Sequence, residues 1–569
     1  MKQISRMVLG VTLLWVAISS RAQASDGPPT DLTAQVDKIF EKWNRKDSSG
    51  CALSVMKGGR IVYQHGYGMA DLDHNVTITT ATVFQVAMSK QFTAASILLL
   101  AQQGKLSLDD DVRKYIPELP DFGFVITIRH LIYHTSGLRD QWSLLQLAAW
   151  RYSLDLITDD DVMSVLTRQK DLNFKPGEKH VYCNTGYTLL AIIVKRVSGM
   201  SFREFTTKNI FAPLGMKNTF FRDDHGEIVK NNAYGYEPAK GETFRLSITN
   251  FDTAGATSLH TTVEDLALWD ENFYHPRVGG ASFREQMLRR GKLNDGEPLD
   301  YAFGLVLEKY RGLGTVDHGG ADAGYRADMT RFPKQHFSAA VLCNSADTSP
   351  ASLVRKVADV YLARDFKDPE KSVGGAAATP GAGMTLTKQQ LAGLAGLYWK
   401  PDGDEFVKTY LKDGKLRVSF DPANDYALNP VSETFFHIAD VPWGDQANLH
   451  FEPAAGNNPR RLLNSFGDGK PGVFDSVAPF LPSAAENGEY GGNYVSEEIE
   501  PIYRVAVQDG KLVLLRLKND PDTLEPRTRD VFSGEVGPIR FTRDSNNHVS
   551  GFLRSTGRIR NFRFMRQAN

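Results

Sequence analysis

The spacing of apolar and polar positions divides this chain into a first part with helices and strands and a last part with short strands. Cys51 to Met56 and Ile61 to Gln64 are strand-like segments on either side of a Gly58-Gly59 turn, which predicts a β-hairpin. From Phe92 to Gln103 the apolar positions recur with the period of a helix, and Gly104 ends the pattern. The first part is therefore predicted to mix both kinds of element.

This mixture continues up to about residue 365. Near its end, two strand-like segments surround a Pro333-Lys334 turn. The further predicted helices are Thr127 to Tyr133, Thr185 to Val197 and Ser352 to Leu362, and the further predicted strands are Asp328 to Phe332 and Phe337 to Leu342. We expect residues 31–370 to form one α/β (α+β) domain.

The last third of the chain contains an internal repeat. The segment Leu394 to Tyr398 recurs as Tyr490 to Tyr494, and Lys412 to Leu416 recurs as Gln508 to Leu512. The two segments stand at the same distance from each other in both copies, and an Asp-Gly pair between apolar residues predicts a hairpin in each. We predict two small antiparallel barrels or sandwiches, over residues 386–480 and 485–569. One tightly joined β-domain is the alternative.

The length of 569 residues exceeds what one hydrophobic core normally holds, so two to four domains are expected. Val373 to Gly383 consists almost entirely of Gly, Ala, Thr and Pro, which cannot build a core. We therefore assign residues 371–385 as a flexible linker between the first domain and the predicted β-units.

The N-terminal residues have the pattern of a secretory signal peptide. Lys2 and Arg6 precede a short apolar run from Met7 to Ala17, and the small residues around Ala24 offer a cleavage site. Residues 1–24 are predicted to be removed, although an uncleaved anchor is the alternative. No later stretch is apolar for long enough to cross a bilayer. The mature protein is expected in the periplasm or outside the cell, without a membrane span.

Charge and cysteine content narrow the possible partners. The 66 basic and 67 acidic residues nearly cancel, so neither nucleic acid nor an anionic membrane is expected as a partner. Three cysteines exclude a full disulfide framework. Cys51 and Cys343 lie in apolar, strand-like segments and could be neighbours in one sheet, but we expect two buried free thiols. The third, Cys183, has no zinc-type spacing to the others.

Three segments carry side chains suited to chemistry. In the first, from Phe84 to Ala94, Lys90 stands at the start of the predicted helix; Ser89 precedes it directly, and Ala87 stands three residues before it. In the second, Tyr182 and Asn184 precede the helix that starts at Thr185. The third is strand-like and contains His318, Gly319, Gly320 and Ala321.

A fourth segment contains His130 and His134, followed by Ser136 and Gly137. Two histidines four residues apart share one face of a helix, as metal ligands do. No third ligand is evident nearby, so we interpret both as packing and hydrogen-bonding residues. Ser136 precedes a glycine in a turn, and it resembles a structural serine, not the nucleophile, of the family to which these segments are similar.

In this order and with this spacing, the segments resemble the serine β-lactamase-related superfamily, over roughly residues 35 to 365. The superfamily includes class C β-lactamases, penicillin-binding peptidases, D-aminopeptidases and esterases. The resemblance implies an antiparallel sheet shared by the first and last strands of the domain, with helices around it. The two C-terminal units resemble the two barrels that follow the catalytic domain in D-aminopeptidases. Small peptides, esters, β-lactams or peptidoglycan fragments are the implied substrates, and no cofactor or metal is implied.

The resemblance also implies a role for each segment. A buried lysine with a depressed pKa helps to deprotonate a serine, and a tyrosine whose pKa the lysine lowers takes the proton. An asparagine binds the substrate amide, and a backbone N–H on the glycine-rich strand stabilises the oxyanion. The catalytic candidates are therefore Lys90, Tyr182 and His318, with Ser89 as a doubtful nucleophile, and the substrate-binding candidates are Asn184, Gly320 and Ala321.

The serine that the superfamily places three residues before its lysine is Ala87 in this chain. On a helix, the Ser89 side chain projects about 100° away from that of Lys90. Ser89 therefore cannot replace the serine that the superfamily has at the position of Ala87. Two functions remain open: an exported serine hydrolase that works through an acyl-enzyme but lacks the expected serine, and an inactive module that binds cell-wall peptides.

Overall fold

The computed structural model describes residues 30–240, 243–367, 386–400, 405–421, 424–439, 447–456, 458–466, 471–535 and 537–568. The predicted signal peptide (1–24) and linker (371–385) lie outside the described residues. The first domain combines helices with a six-stranded sheet, and two closed eight-stranded β-barrels follow it. The predicted α/β class with two β-units is thereby confirmed.

The first domain contains eleven α-helices and fifteen strands among its described residues. The helices are α1 (Thr30–Phe40), α2 (Lys90–Gln102), α3 (Ile128–Ile132), α4 (Gln141–Leu147), α5 (Asp159–Leu166), α6 (Asn184–Ser198), α7 (Phe202–Thr206), α8 (Ala212–Leu214), α9 (Val263–Glu271), α10 (Gly280–Met287) and α11 (Pro350–Tyr361). The strands are β1 (Cys51–Lys57), β2 (Arg60–Tyr67), β3 (Met69–Asp71), β4 (Val76–Thr77), β5 (Phe84–Val86), β6 (Ile157–Thr158), β7 (Phe220–Phe221), β8 (Tyr236–Pro238), β9 (Phe244–Leu246), β10 (Phe251–Asp252), β11 (Leu259–Thr261), β12 (Val306–Tyr310), β13 (Leu313–Asp322), β14 (Tyr325–Phe332) and β15 (Phe337–Cys343).

The six-stranded sheet joins the first strands of the domain to its last ones. Its order is β12-β13-β14-β15-β1-β2, and each neighbouring pair is antiparallel. The predicted hairpin is β1 and β2, and the shared sheet that the resemblance implies is confirmed by the pairing of β1 with β15. Strand β1 is buried on both faces because its side chains alternate between two cores. Helices α1 and α11 pack on one face and α9 on the other.

Cys51 and Cys343 form a disulfide between β1 and β15. The expectation of two free thiols at these positions is wrong. The register places the two residues directly opposite each other in the antiparallel pair, where the Cβ atoms come within reach of a disulfide. Cys183 is a buried free thiol, and burial raises its pKa to about 12.

Each C-terminal unit is a short helix followed by a closed antiparallel barrel. The first consists of α12 (Lys388–Leu394), β16 (Gly396–Lys400), β17 (Glu405–Lys412), β18 (Lys415–Asp421), β19 (Asn424–Pro430), β20 (Phe435–Ile438), β21 (Ala447–Glu452), β22 (Arg461–Phe466) and β23 (Gly472–Val477). The second consists of α13 (Ala484–Glu489), β24 (Gly492–Ser496), β25 (Ile499–Gln508), β26 (Lys511–Leu515), β27 (Asp522–Thr528), β28 (Val531–Gly534), β29 (Gly537–Arg543), β30 (Val549–Thr556) and β31 (Ile559–Arg566).

The repeated Asp-Gly pairs explain why the two barrels begin alike. Asp413 and Gly414 connect β17 to β18 with φ angles of 52° and 75°, and Asp509 and Gly510 connect β25 to β26 with 49° and 76°. Two successive residues with positive φ form the turn whose twist matches that of paired strands. Two separate barrels are observed instead of the alternative single β-domain. No helix in the described residues is long and apolar enough to cross a membrane.

The second barrel contacts the first domain near α4 and α5. Arg139 and Glu498 form an ion pair of 2.6 Å in which both side chains are almost fully buried. The hydroxyl of Tyr503 donates to the carbonyl oxygen of Leu147 at the end of α4 (2.7 Å). A buried pair is strongly destabilised when one partner is lost, so these contacts fix the position of the barrel.

Candidate active site

Strand β5 and helix α2 bring Ala87 and Lys90 to the wall of a cleft of about 1290 Å³. Met88 and Ser89 lie between them in sequence, but both are fully buried and neither lines the cleft. The Ser89 hydroxyl has no hydrogen-bond partner among the described residues. The structure therefore keeps the doubtful nucleophile Ser89 out of the cleft and places an alanine methyl group there instead.

Lys90 is the buried cation of the site. Its Nζ donates to Oδ1 of Asn184 (2.9 Å) and to the carbonyl oxygen of Ala256 (3.1 Å), and it lies 4.8 Å from the ring centroid of Tyr182. Burial, and next the positive charge of Arg558, lower the pKa of Lys90 to about 7. An amine with this pKa is partly neutral near neutral pH and can accept a proton.

Tyr182 faces the same cleft, just before α6. Burial raises the pKa of its hydroxyl above the ordinary value, and the nearby Arg558 opposes this only in part. The expectation that Lys90 lowers the pKa of Tyr182 is therefore wrong. At the high pH at which a tyrosine loses its proton, Lys90 with its pKa of about 7 is already neutral, so desolvation of the phenolate determines the direction of the shift.

Asn184 begins α6 and is held by a carboxylate that the sequence analysis missed. Oδ2 of Asp140 accepts from the Asn184 backbone N–H (2.7 Å) and from Nδ2 (2.9 Å). This orients the Asn184 amide so that its oxygen faces Lys90. Asp140 also caps α4 by accepting from the N–H of Trp142 and Ser143. An aspartate before a helix is a recognisable N-cap signal, but its second role follows only from the fold.

His318 lies in β13 and faces the cleft as a neutral imidazole. Burial, and next the charge of Lys90, lower the pKa of His318 to about 3. Its Nδ1 is 2.6 Å from the carbonyl oxygen of Gly319, which requires a proton on Nδ1. Nε2 is then an acceptor and lies 3.4 Å from the Tyr301 hydroxyl. His318 is suited to accepting a hydrogen bond and not to carrying a charge.

The strand β13 offers an open edge to the cleft. β12 pairs with β13 only from Leu313 to Asp317, so the segment from His318 onward is not covered by β12. Gly320 and Ala321 line the cleft within this segment. A Cβ at Gly320 would lie 2.7 Å from the carbonyl carbon of Ala87, so only glycine allows this approach.

The two histidines of the fourth segment have structural roles. Nδ1 of His130 accepts from the N–H of Thr127 in the capping box of α3. Nδ1 of His134 accepts from the N–H of Cys183 (3.1 Å), which fixes the segment that carries Tyr182. Oγ of Ser136 accepts from the N–H of Leu138. Among the described residues, neither histidine belongs to a cluster able to hold a metal ion.

The second barrel contributes Arg558 to the cleft, a residue that the sequence analysis missed. It lies in the turn between β30 and β31, and its guanidinium carbon is 5.1 Å from the ring centroid of Tyr182. Its Nη1 is 3.8 Å from Oδ2 of Asp140, and its side chain remains 43% exposed. Nδ2 of Asn173 donates to its carbonyl oxygen (3.0 Å). The local sequence predicts only a hairpin turn. It does not indicate that this turn contacts the cleft of the first domain.

The structure thus collects six of the seven predicted site residues in one cleft and leaves Ser89 out. This arrangement on an antiparallel sheet with helices is that of a β-lactamase-related, penicillin-binding-protein-like domain. The family described as Beta-lactamase matches residues 36–363, more than half of the chain, so the chain belongs to this family. The resemblance predicted from the sequence is confirmed.

Individual relatives agree with this assignment. The chain is 31% identical to "Penicillin-binding protein 4*" of Bacillus subtilis over 349 residues, which is 58% of this chain and 77% of the relative. It is 28% identical to a D-aminopeptidase of Gluconobacter oxydans over 298 residues, 52% of this chain and 55% of the relative. An octameric penicillin-binding protein homologue from Pyrococcus abyssi has the same fold, with a TM-score of 0.53, 21% identity and coverage of 86% and 98% of the two chains.

Proposed function

We propose that this chain binds small acyl or peptide ligands in the cleft without forming an acyl-enzyme. One observation carries the proposal: Ala87 stands in the cleft three residues before Lys90, and Ser89 is buried outside it. Losing the nucleophile of a catalytic triad lowers the rate by about a millionfold. The other groups are still suited to binding, because Asn184 and the open edge of β13 do not depend on the serine.

The proposed ligand class follows from the charges of the cleft. Arg558 supplies an exposed guanidinium next to Tyr182, and a guanidinium pairs well with a carboxylate. D-aminoacyl peptides, fragments of peptidoglycan, esters and β-lactams all fit the family, and among them those with a carboxylate are favoured. The names of the relatives, a penicillin-binding protein and a D-aminopeptidase, support this class.

We also propose that the protein is exported to the periplasm or beyond. The charged start and apolar run of residues 1–24 support this, and so does the disulfide between Cys51 and Cys343. Disulfides persist in oxidising compartments and are rare where thiols are kept reduced.

A serine hydrolase is the second candidate function, and the lowered pKa of Lys90 favours it. A buried amine with a pKa of about 7 is what a neighbouring serine would need as a proton acceptor. Nothing in a pure binding site requires that pKa. The two candidates differ only in whether any hydroxyl becomes acylated.

Intact-mass spectrometry after incubation with benzylpenicillin separates them. We expect no covalent adduct on the unmodified protein and an adduct on the Ala87→Ser variant, because that substitution restores Ser-x-x-Lys at a position that already faces the cleft. Titration calorimetry should show reversible binding to the unmodified protein. Ser89→Ala is the matched control and should leave both results unchanged. An adduct on the unmodified protein that Ser89→Ala abolishes would contradict the proposal.

A further inference from the structure

A side pocket of about 580 Å³ adjoins the cleft, between the first domain and the second barrel. Trp142, Tyr152 and Arg558 line both the side pocket and the cleft, whereas Trp150 lines the side pocket alone. The volume and the aromatic wall are typical of sites that hold small molecules. The side pocket therefore extends the space that is available to a ligand in the cleft.

Three aromatic rings form a fixed wall where the two cavities adjoin. The indole of Trp142 stacks on the buried Phe251, with ring centroids 4.7 Å apart, and the ring of Tyr152 packs edge-on against both. The Tyr152 hydroxyl donates to Oδ1 of Asp322 (2.5 Å), while 36% of the residue remains exposed. Because its hydroxyl is engaged in this way, Tyr152 offers ring surface to a ligand.

The side of the pocket that belongs to the second barrel is also held in place. Nδ2 of Asn519, in the loop before β27, donates to the carbonyl oxygen of Ala149 (3.3 Å). Nδ2 of Asn173 donates to the carbonyl oxygen of Arg558 (3.0 Å). These contacts join the barrel to the first domain on two sides of the pocket. The pocket is therefore formed before a ligand arrives, which lowers the cost of binding.

The described wall of the side pocket has no carboxylate free to bind an ammonium group. Asp140 is its one acidic residue, and Oδ2 of Asp140 already accepts two hydrogen bonds from Asn184. Nη2 of Arg151 pairs with Asp155 (2.7 Å), and Arg558 adds an exposed positive charge. An ammonium group would meet two guanidinium groups here and no free counter-charge, so the wall favours an uncharged group.

We propose that the side pocket binds an uncharged aromatic acyl group, attached to the ligand amide that Asn184 binds in the cleft. This inference rests on the proposed function, because it takes the ligand amide to lie at Asn184. Asp140 lines the side pocket and orients the Asn184 side chain, so the substituent of that amide lies beside the pocket. The aromatic ring packs on Trp150 and Tyr152, and such ring pairs are stabilised beyond the burial of apolar area.

Titration calorimetry of the unmodified protein with three penicillins tests the proposal, because all three share the bicyclic ring system and its carboxylate. Benzylpenicillin carries a phenylacetyl group, an analogue carries an acetyl group in its place, and ampicillin adds an ammonium group beside the phenyl ring. We expect the acetyl analogue to bind about tenfold more weakly than benzylpenicillin, as the loss of one buried aromatic ring predicts. Ampicillin should also bind more weakly than benzylpenicillin, because its ammonium group finds no partner.

Two substitutions outside the wall of the cleft locate the site. Trp150→Ala removes a ring from the side pocket, and Ser143→Phe fills the pocket from α4. Each should abolish the preference for benzylpenicillin over the acetyl analogue and leave the affinity for the acetyl analogue unchanged. Trp43→Ala, at a tryptophan outside both cavities, is the matched control and should keep the preference. Circular dichroism checks folding, and Ser143→Phe decides alone if Trp150→Ala does not fold.

The inference is overturned if the acetyl analogue binds as tightly as benzylpenicillin, if ampicillin binds more tightly than benzylpenicillin, or if both pocket variants keep the preference. Intact-mass spectrometry separates this result from the proposed function. A covalent adduct on the unmodified protein would contradict the proposed function alone, and the same order of the three penicillins should then appear in the rates of adduct formation. Absence of binding by all three penicillins would contradict both proposals.

Discussion

Replacing Lys90 with methionine should change how the stability of the protein depends on pH. The pKa of Lys90 falls from 10.5 to about 7 because the amine is buried. At about 1.4 kcal/mol per pH unit, this corresponds to about 5 kcal/mol of unfavourable free energy for holding the charged form in the native protein. Methionine has a similar length and no charge, so it removes this penalty, at the expense of the hydrogen bonds to Asn184 and Ala256.

Proton binding determines whether the free energy of unfolding rises or falls with pH. Between pH 7 and 10.5, native Lys90 is mostly neutral while the unfolded chain keeps its proton, so the unfolded state binds more protons. The free energy of unfolding of the unmodified protein therefore rises through this window by up to about 1.4 kcal/mol per pH unit from Lys90 alone. The Lys90→Met variant lacks this contribution. Its stability relative to the unmodified protein should fall by about 2–3 kcal/mol between pH 7 and 9.

Urea unfolding followed by circular dichroism at pH 6 to 9 measures this difference, because groups that do not interact with Lys90 titrate alike in both proteins. Lys105→Met, an exposed lysine just beyond α2, is the matched control and should show no such trend. A ¹³C NMR titration of the lysine Cε signals gives the pKa of Lys90 directly. A stability difference between the variant and the unmodified protein that stays constant from pH 6 to 9 would refute the reasoning.

Two further substitutions test the walls of the cleft. Gly320→Ala should destabilise the protein by about 1–3 kcal/mol, measured as a lower melting temperature, because the new Cβ meets backbone atoms of the β5–α2 segment; Gly314→Ala on the same strand, with nothing within 4 Å, is the control and should be nearly neutral. Arg558→Gln should weaken calorimetric binding of benzylpenicillin by about tenfold, through loss of a charge-assisted hydrogen bond to a carboxylate. The exposed Arg563→Gln on β31 should not, and equal affinity of the two variants would remove Arg558 from the binding site.

The elements that the sequence predicted well are those whose signals are local. The helix predicted from Phe92 to Gln103 is α2, and the one predicted from Thr185 to Val197 is α6, each within about two residues at both ends. The hairpins of the barrels were predicted from their Asp-Gly pairs. Few residue types adopt positive φ at two successive positions, so such a pair indicates a hairpin turn. Periodicity and turn chemistry act between neighbours in the chain, so they can be read without knowing the fold.

Much of the cleft was also predictable, because Lys90, Tyr182 and His318 each stand in a segment that resembles a family motif. The alanine three residues before Lys90, Ala87, is equally read directly from the sequence. The positions of these residues in the sequence do not predict the pKa values of their side chains. Desolvation depends on everything that surrounds a group, and this is why the pKa of Tyr182 was predicted in the wrong direction.

Contacts between distant segments were decided by the tertiary structure alone. The disulfide depends on the register of β1 against β15, which places Cys51 opposite Cys343 although 292 residues separate them. The entry of Arg558 into the cleft depends on how the second barrel docks on the first domain. The sequence by itself determined the main helices and strands, the family and the alanine at position 87. The fold determined which distant groups meet and how strongly water is excluded around them, because both depend on packing that no local pattern encodes.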